Sequence, residues 1–312
     1  INVDLTSNAS VDGAPGGGGL RVFNSEVLLE NVLFQDNMSN SGPGGGLYLE
    51  GSETQCEVIN CSFLNNYAAS DGSAINSVGA GLTIEGSSFL DNVTEGGGAI
   101  ASVVTGITMT NTLMYNNSGR DGGAIMCNGS NSTLTNCTIV GNNDTEVDPG
   151  LNSSAILVHT GNESFTILNT ILWDNVINFD DYNGGTLNIS YSDIEGGESG
   201  ILISDNNTGV LNWGSGNINQ DPIFCDQGNG DYTIDYEHTE KWFTERLREI
   251  TDRSMHYHLV ADTEIGSYAS GGVDSSLISI LASQKSSNTL KSYNGRFIGK
   301  NYDESYYAKS IT

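Results

Sequence analysis

The chain has 312 residues, 37% of them hydrophobic, with 40 glycines and a formal net charge of −27. That charge weighs against nucleic acid as a partner, since phosphates would be repelled, and no apolar run of about 18 residues is available to span a membrane as a helix. The length allows two domains, and the charge says where they divide: two cations (Arg21, Arg120) stand against 28 acidic residues before residue 237, and nine against ten from there on.

The first part is a repeat array. Asn31-Val32-Leu33-Phe34-Gln35-Asp36-Asn37 recurs as Asn60-Cys61-Ser62-Phe63-Leu64-Asn65-Asn66, then at 86–92, 111–117, 136–142 and 169–175, at steps of 29, 26, 25, 25 and 33 residues. Glycine-led segments such as Gly45-Gly46-Leu47-Tyr48-Leu49 and Gly97-Gly98-Ala99-Ile100 lie between the copies. Each copy therefore supplies about three short strands with Gly/Asn/Ser turns, too short for a repeat that contains a helix. Strands stacked coil on coil at ~4.8 Å would bring equivalent side chains into ladders. Phe34, Phe63, Phe89, Met114, Ile139 and Leu172 are expected to form one interior apolar stack. Asn37, Asn66, Asn92, Asn117, Asn142 and Asn175 are expected to form an asparagine ladder at a left-handed turn, structural rather than ligand-binding.

This pattern resembles the right-handed parallel β-helix repeat proteins of bacterial surfaces, including polymorphic outer-membrane proteins. The segment 219–234 resembles the closing stretch of such arrays. The resemblance implies a secreted or cell-surface protein, with adhesion or carbohydrate binding as its function and a glycan or cell surface as its partner. Polysaccharide cleavage needs acidic and basic groups on one face, which is hard to build from Arg21 and Arg120 alone. A calcium role is not favoured either, because no Asp-rich nonapeptide recurs and Asp180-Asp181 stands alone. Five cysteines (Cys56, Cys61, Cys127, Cys137, Cys225) all fall in the array, and an odd count without tight spacing argues against a disulfide framework or a zinc site. Cys61 and Cys137 share one repeat position, which points to interior packing. Asn-x-Ser/Thr acceptor motifs are numerous, at Asn92 and Asn162 among others, as this composition would produce by chance.

The array passes into Glu237-His238-Thr239-Glu240-Lys241-Trp242 without a proline- or glycine-rich linker. Periodicity then turns helical: Phe243, Leu247 and Ile250 make an apolar stripe, and Glu249 precedes Arg253 by one helical turn. His256 and His258 lack a third metal ligand nearby and are expected to be ordinary packing or surface residues.

A strand-like run, Ile265-Gly266-Ser267-Tyr268-Ala269, leads into Ser270-Gly271-Gly272-Val273-Asp274-Ser275 and then a helix-like run at 276–282. Paired glycines let the backbone approach an anion, and the helix start offers unpaired N–H groups and a positive dipole end. The hexamer thus has the features of a pyrophosphate-binding loop. With Leu259-Val260-Ala261-Asp262 before it and Tyr302-Asp303-Glu304-Ser305-Tyr306-Tyr307-Ala308-Lys309 after it, the stretch from residue 237 on resembles the synthetase domain of glutamine-hydrolysing asparagine synthetases. Ala269 departs from the leucine usual in that family. The resemblance implies a truncated α/β fold (PP-loop, HUP-like), a cytoplasmic setting, and ATP-dependent amide ligation. ATP, Mg2+ and a carboxylate substrate would be the ligands. Ser270, Gly271, Gly272, Val273 and Ser275 would cradle phosphate, and Asp274 would hold the metal. Leu290-Lys291-Ser292-Tyr293 would be the second strand, near the adenine.

The fold expected is mainly β: a parallel β-helix repeat domain at 1–236 and a truncated ATP-binding segment at 237–312. The chain opens at Ile1 inside strand-and-turn sequence and stops at Thr312, so both ends are expected to be cut, with no signal peptide to read. With no glutaminase segment in front and the acyl-substrate segments falling beyond Thr312, no asparagine synthesis is expected from this stretch. The conflicting compartments and the abrupt seam point to an accidental junction of two pieces.

Overall fold

The computed structural model describes residues 3–10, 16–129, 131–145, 154–159, 163–175, 177–179, 184–203, 208–222, 224–226, 231–234, 248, 251, 253–255, 259, 266–268, 273–286 and 290–294. Backbone packing divides the chain into two compact units, Ile1–Ile234 and Asp235–Thr312.

The first unit is a parallel β-solenoid. Its coils climb through four sheets whose members pair with the coil below and the coil above. The second coil shows the pattern: Val32–Gln35, Met38–Ser39, Leu47–Glu50 and Gln55–Ile59 each join a different sheet. Three sheets have eight strands and the second has six. The sequence suggests three strands per coil, and the six-stranded second sheet is the difference. Its strands, such as Tyr67–Ala68 and Val93–Thr94, have two residues each and are too short to carry an alternating pattern. Steps of 25 to 33 residues keep one register because the extra residues go into the connections, so that Ser132–Thr135 still pairs in register with Ser164–Leu168.

Inside, Phe34, Phe63, Phe89, Met114, Ile139 and Leu172 are all buried and in register on the first sheet, as the repeat predicts. The rings of Phe34 and Phe63 stack with centroids 4.6 Å apart, and those of Phe63 and Phe89 at 4.8 Å. Full burial of a side chain of this size contributes roughly 1.5–3 kcal/mol.

The asparagine ladder is present, with one correction to its geometry. The left-handed residues are those just before it: Asp36, Asn65, Asp91, Asn116, Gly141 and Asp174, with φ between 51° and 59°. A second left-handed corner opens each phrase at Asn31, Asn60, Gly86, Asn111, Asn136 and Asn169. One such residue turns the chain so that the next side chain points inward, and Asn, Asp and Gly bear this backbone at least cost. The buried asparagine then uses its amide fully. Asn66 donates Nδ2 to Asn92 Oδ1 at 2.9 Å and to the Phe34 carbonyl at 2.9 Å, while its own Oδ1 accepts from both N and Nδ2 of Asn37. Asn8, which falls before the first clear repeat, joins the ladder by donating to Asn37 Oδ1.

A second ladder runs along the other corner. Cys61, Ser87, Cys137, Thr170 and Ser192 each bond to the carbonyl two residues back. Each also accepts from the preceding coil where that bond is formed: Val32 N–H to Cys61 Sγ at 3.4 Å, Cys61 N–H to Ser87 Oγ at 3.1 Å, and Cys137 N–H to Thr170 Oγ1 at 3.2 Å. Cys61 and Cys137 are therefore interior residues, as their shared repeat position implies. Past the coils, Phe224–Asp226 and Asp231–Ile234 form an antiparallel hairpin.

In the second unit, strand Gly266–Tyr268 pairs in parallel with strand Lys291–Tyr293, and helix Val273–Lys285 connects them. Residues 248, 251 and 253–255 are helical, whereas Trp242, Phe243, Leu247, Glu249, Ile250, His256 and His258 lie outside the described residues.

Candidate functional site

In chain order the glycine-rich hexamer follows the strand Gly266–Tyr268 and runs into the first turn of the helix. Ser270, Gly271 and Gly272 lie outside the described residues. Val273 and Asp274 belong to the helix's first turn and not to the loop proper, because the helix begins three residues earlier than the apolar run suggests. Ser275 follows, half-buried. The helix is seated on the strand by a serine relay that sequence reasoning missed: Ser267 Oγ bonds Ser279 Oγ, which donates to the Ser275 carbonyl at 2.7 Å. Ser267 and Ser279 face each other across 12 residues, and nothing in their spacing announces the pair. The strand itself has a close approach: a Cβ on Gly266 would meet the Tyr293 ring at 2.7 Å. The 13-residue helix opens at Val273, directly after the paired glycines in sequence, and its N-terminal dipole end is the kind that favours an anion.

On the solenoid, the two arginines are held apart. Arg21 bonds Glu50 at 2.7 Å and lies over the Tyr48 ring, while Arg120 lies 3.6 Å from Asp121. The third-sheet strands that follow or contain them, Leu20–Phe23 and Ile125–Asn128, are the first and fifth of that sheet, so the two cations serve no common cleft. Among the described residues no cluster of three or more His, Cys, Asp or Glu could hold a metal ion. Burial pushes the Cys56 thiol up to about 12 and the Cys137 thiol up to about 11, and raises Cys61 and Cys127 as well. None of these four is a thiolate nucleophile at neutral pH.

The fourth sheet has an outer face of different character. Its last five strands, Ile107–Thr110, Ser132–Thr135, Ser164–Leu168, Thr186–Ser190 and Val210–Trp213, contain no charged residue, whereas the first three carry Glu26, Glu30, Glu57 and Glu85. Thr83, Thr108, Thr133 and Thr166 stack in register on it, with Thr110 beside Thr135 in the next column. The recurrence of Thr83, Thr108 and Thr133 at 25-residue intervals was the available signal.

Two family models match this chain. The one described as right handed beta helix region covers residues 45–218, more than half of the 312. The chain belongs to the right-handed β-helix family. In this β-helix protein the second model, asparagine synthase, covers residues 246–312 and so includes the whole glycine-rich loop. No significant match was found among curated proteins or solved structures. No described helix of the β-helix protein is long and apolar enough to cross a membrane.

Proposed function

We propose that residues 237–312 form an ATP-binding segment of the asparagine synthase type, with an α/β PP-loop fold, whose chemistry is ATP-dependent amide ligation. The observation that carries this reading is the parallel strand–loop–helix–strand order, with the loop at the strand's carboxyl end and the helix opening at Val273. Ser270, Gly271, Gly272 and Ser275 would bind the pyrophosphate, and Asp274 in the first helical turn would hold Mg2+. Bound ATP would supply an activated phosphorus to a carboxylate oxygen with pyrophosphate as the leaving group, and ammonia would then displace AMP and lose one proton to leave an amide. The contribution of the protein is electrostatic, because backbone N–H groups and the helix dipole stabilise the charge that builds on the departing pyrophosphate.

Titration of the full chain with MgATP tests this. Saturable binding is expected, and Asp274→Ala is expected to weaken it at least tenfold, a loss of about 1.4 kcal/mol, with helix content unchanged by circular dichroism. Equal binding by Asp274→Ala, or none by the unsubstituted chain, would sink the assignment.

A second reading concerns the solenoid: an exported surface module for adhesion or carbohydrate binding. The charge-free strands from Ile107–Thr110 onward, with Thr108, Thr133 and Thr166 in one column, support it, since an uncharged polar partner meets no repulsion there in an otherwise acidic unit. Binding to immobilised neutral glycans that is lost in Thr108→Lys with Thr133→Lys would favour it, and binding that survives both changes would oppose it.

A further inference from the structure

Two buried residues of the asparagine ladder also carry an N-linked acceptor motif, Asn37-Met38-Ser39 and Asn92-Val93-Thr94. Their exposures are 1% and 0%. Asn37 donates Nδ2 to the Leu5 carbonyl at 2.7 Å and to Asn66 Oδ1 at 2.9 Å, and Asn92 donates Nδ2 to the Phe63 carbonyl and to Asn117 Oδ1, both at 2.9 Å. Both hydrogens of each amide nitrogen are therefore in use. Three other acceptor motifs sit at left-handed corners: Asn60-Cys61-Ser62, Asn116-Asn117-Ser118 and Asn136-Cys137-Thr138, with φ of 51°, 54° and 55°, and of these Asn136 is bonded through its amide to Asn111 and Asn169. Asn60 and Asn116 are exposed and make no side-chain hydrogen bond among the described residues.

We propose that N-linked glycosylation at Asn37 or Asn92 and closure of the β-helix exclude one another, whereas Asn60 and Asn116 are acceptor positions that the folded coil tolerates. In the modification, C1 of a lipid-linked oligosaccharide bonds to Nδ2, its bond to the donor's diphosphate oxygen breaks, and one proton leaves Nδ2. One N–H then remains where the ladder needs two. A buried carbonyl or amide oxygen loses its donor, at a cost of roughly 1–3 kcal/mol. The larger obstacle is volume, because the ladder lies in a close-packed interior with no room for a sugar. At Asn60 and Asn116 the same chemistry removes no bond and the glycan projects into solvent, the usual setting for this modification.

The full chain, produced in a eukaryotic secretory host, separates the two classes. Folded and insoluble fractions are digested, and occupancy is read site by site by mass spectrometry. Glycopeptides at Asn60 and Asn116 are expected in the folded fraction, with glycans at Asn37 and Asn92 confined to the insoluble one. The double variant Ser39→Ala with Thr94→Val removes both buried acceptors and is expected to move the insoluble material into the folded fraction. Thr94 Oγ1 bonds the Ser70 carbonyl and the Gly96 N–H, so the variant-to-parent ratio of folded yield is measured first in a host without the transferase; a ratio that rises in the secretory host reports lost glycosylation and not the altered core. Folded protein bearing a glycan on Asn37 or Asn92 would overturn the proposal. So would a folded fraction in which Asn60 and Asn116 stay as bare as the ladder residues.

Discussion

At the ladder, one amide holds three coils. Asn92 Oδ1 accepts from both nitrogens of Asn66, and its Nδ2 reaches back to the Phe63 carbonyl and forward to Asn117. Asn92→Ala strands at least three buried groups, each costing roughly 1–3 kcal/mol, so urea unfolding should show a loss of about 3 kcal/mol or more. The residue preceding the next ladder asparagine behaves oppositely. Asn116 is exposed and left-handed at 54°, and Asn116→Gly should leave stability within about 0.5 kcal/mol, because glycine takes this backbone freely. The thiols make a second test. Cys56 and Cys137 have folded values raised above the ordinary 9.0, so their contribution is present below that pH and is lost as pH rises towards about 12. Melting temperature should fall across that window, and a Cys56→Ala, Cys137→Ala variant should show less of the fall. The asparagines themselves were legible in the sequence, because identical residues at a fixed period demand a common cause. Their backbone was not: 36 and 37 are neighbours of similar type, and only the turn geometry decides which is left-handed and which points in.

The sheets follow from period and apolar content, so the three longer ladders and the phenylalanine stack can be read from the sequence. The two-residue sheet cannot, since a strand of that length has no pattern. Its role becomes plain at Gly45, where a Cβ would meet the Tyr67 carbonyl at 2.3 Å and the Ser73 carbonyl at 2.5 Å. Gly45→Ala forces two coils apart against backbone atoms, and a destabilisation of about 2 kcal/mol or more is expected, in the range of overpacked cores. Denaturant midpoints compared with Asn116→Gly would check it. In the C-terminal unit the strand and helix order was legible, but the Ser267–Ser279 link was not, because tertiary pairs of single serines leave no trace in spacing. The helix opens three residues before the apolar run suggests, for a related reason. Val273 and Asp274 continue no apolar stripe, yet a helix needs no stripe in its first turn.

For the whole molecule, the charge step near residue 237 and the division into two compact units fall at nearly the same place. Each coil bonds only to its neighbours, so solenoid stability should be a sum of local steps. A chain ending at Tyr236 is therefore expected to retain the parent's β-sheet circular dichroism and the solenoid's unfolding midpoint. A drop of more than a few degrees would mean that the second unit supports the first.

The asparagine ladder also gives the solenoid a direction. At every step the amide oxygen of one coil faces the donors of the coil before it, never another oxygen. The column is thus polar, like a row of magnets laid north to south. Two such columns meeting at like ends would set oxygen against oxygen or donor against donor. A two-fold axis through this corner is forbidden by its chemistry, and any second solenoid that extended the ladder would have to stack head to tail, an open-ended arrangement and not a closed pair.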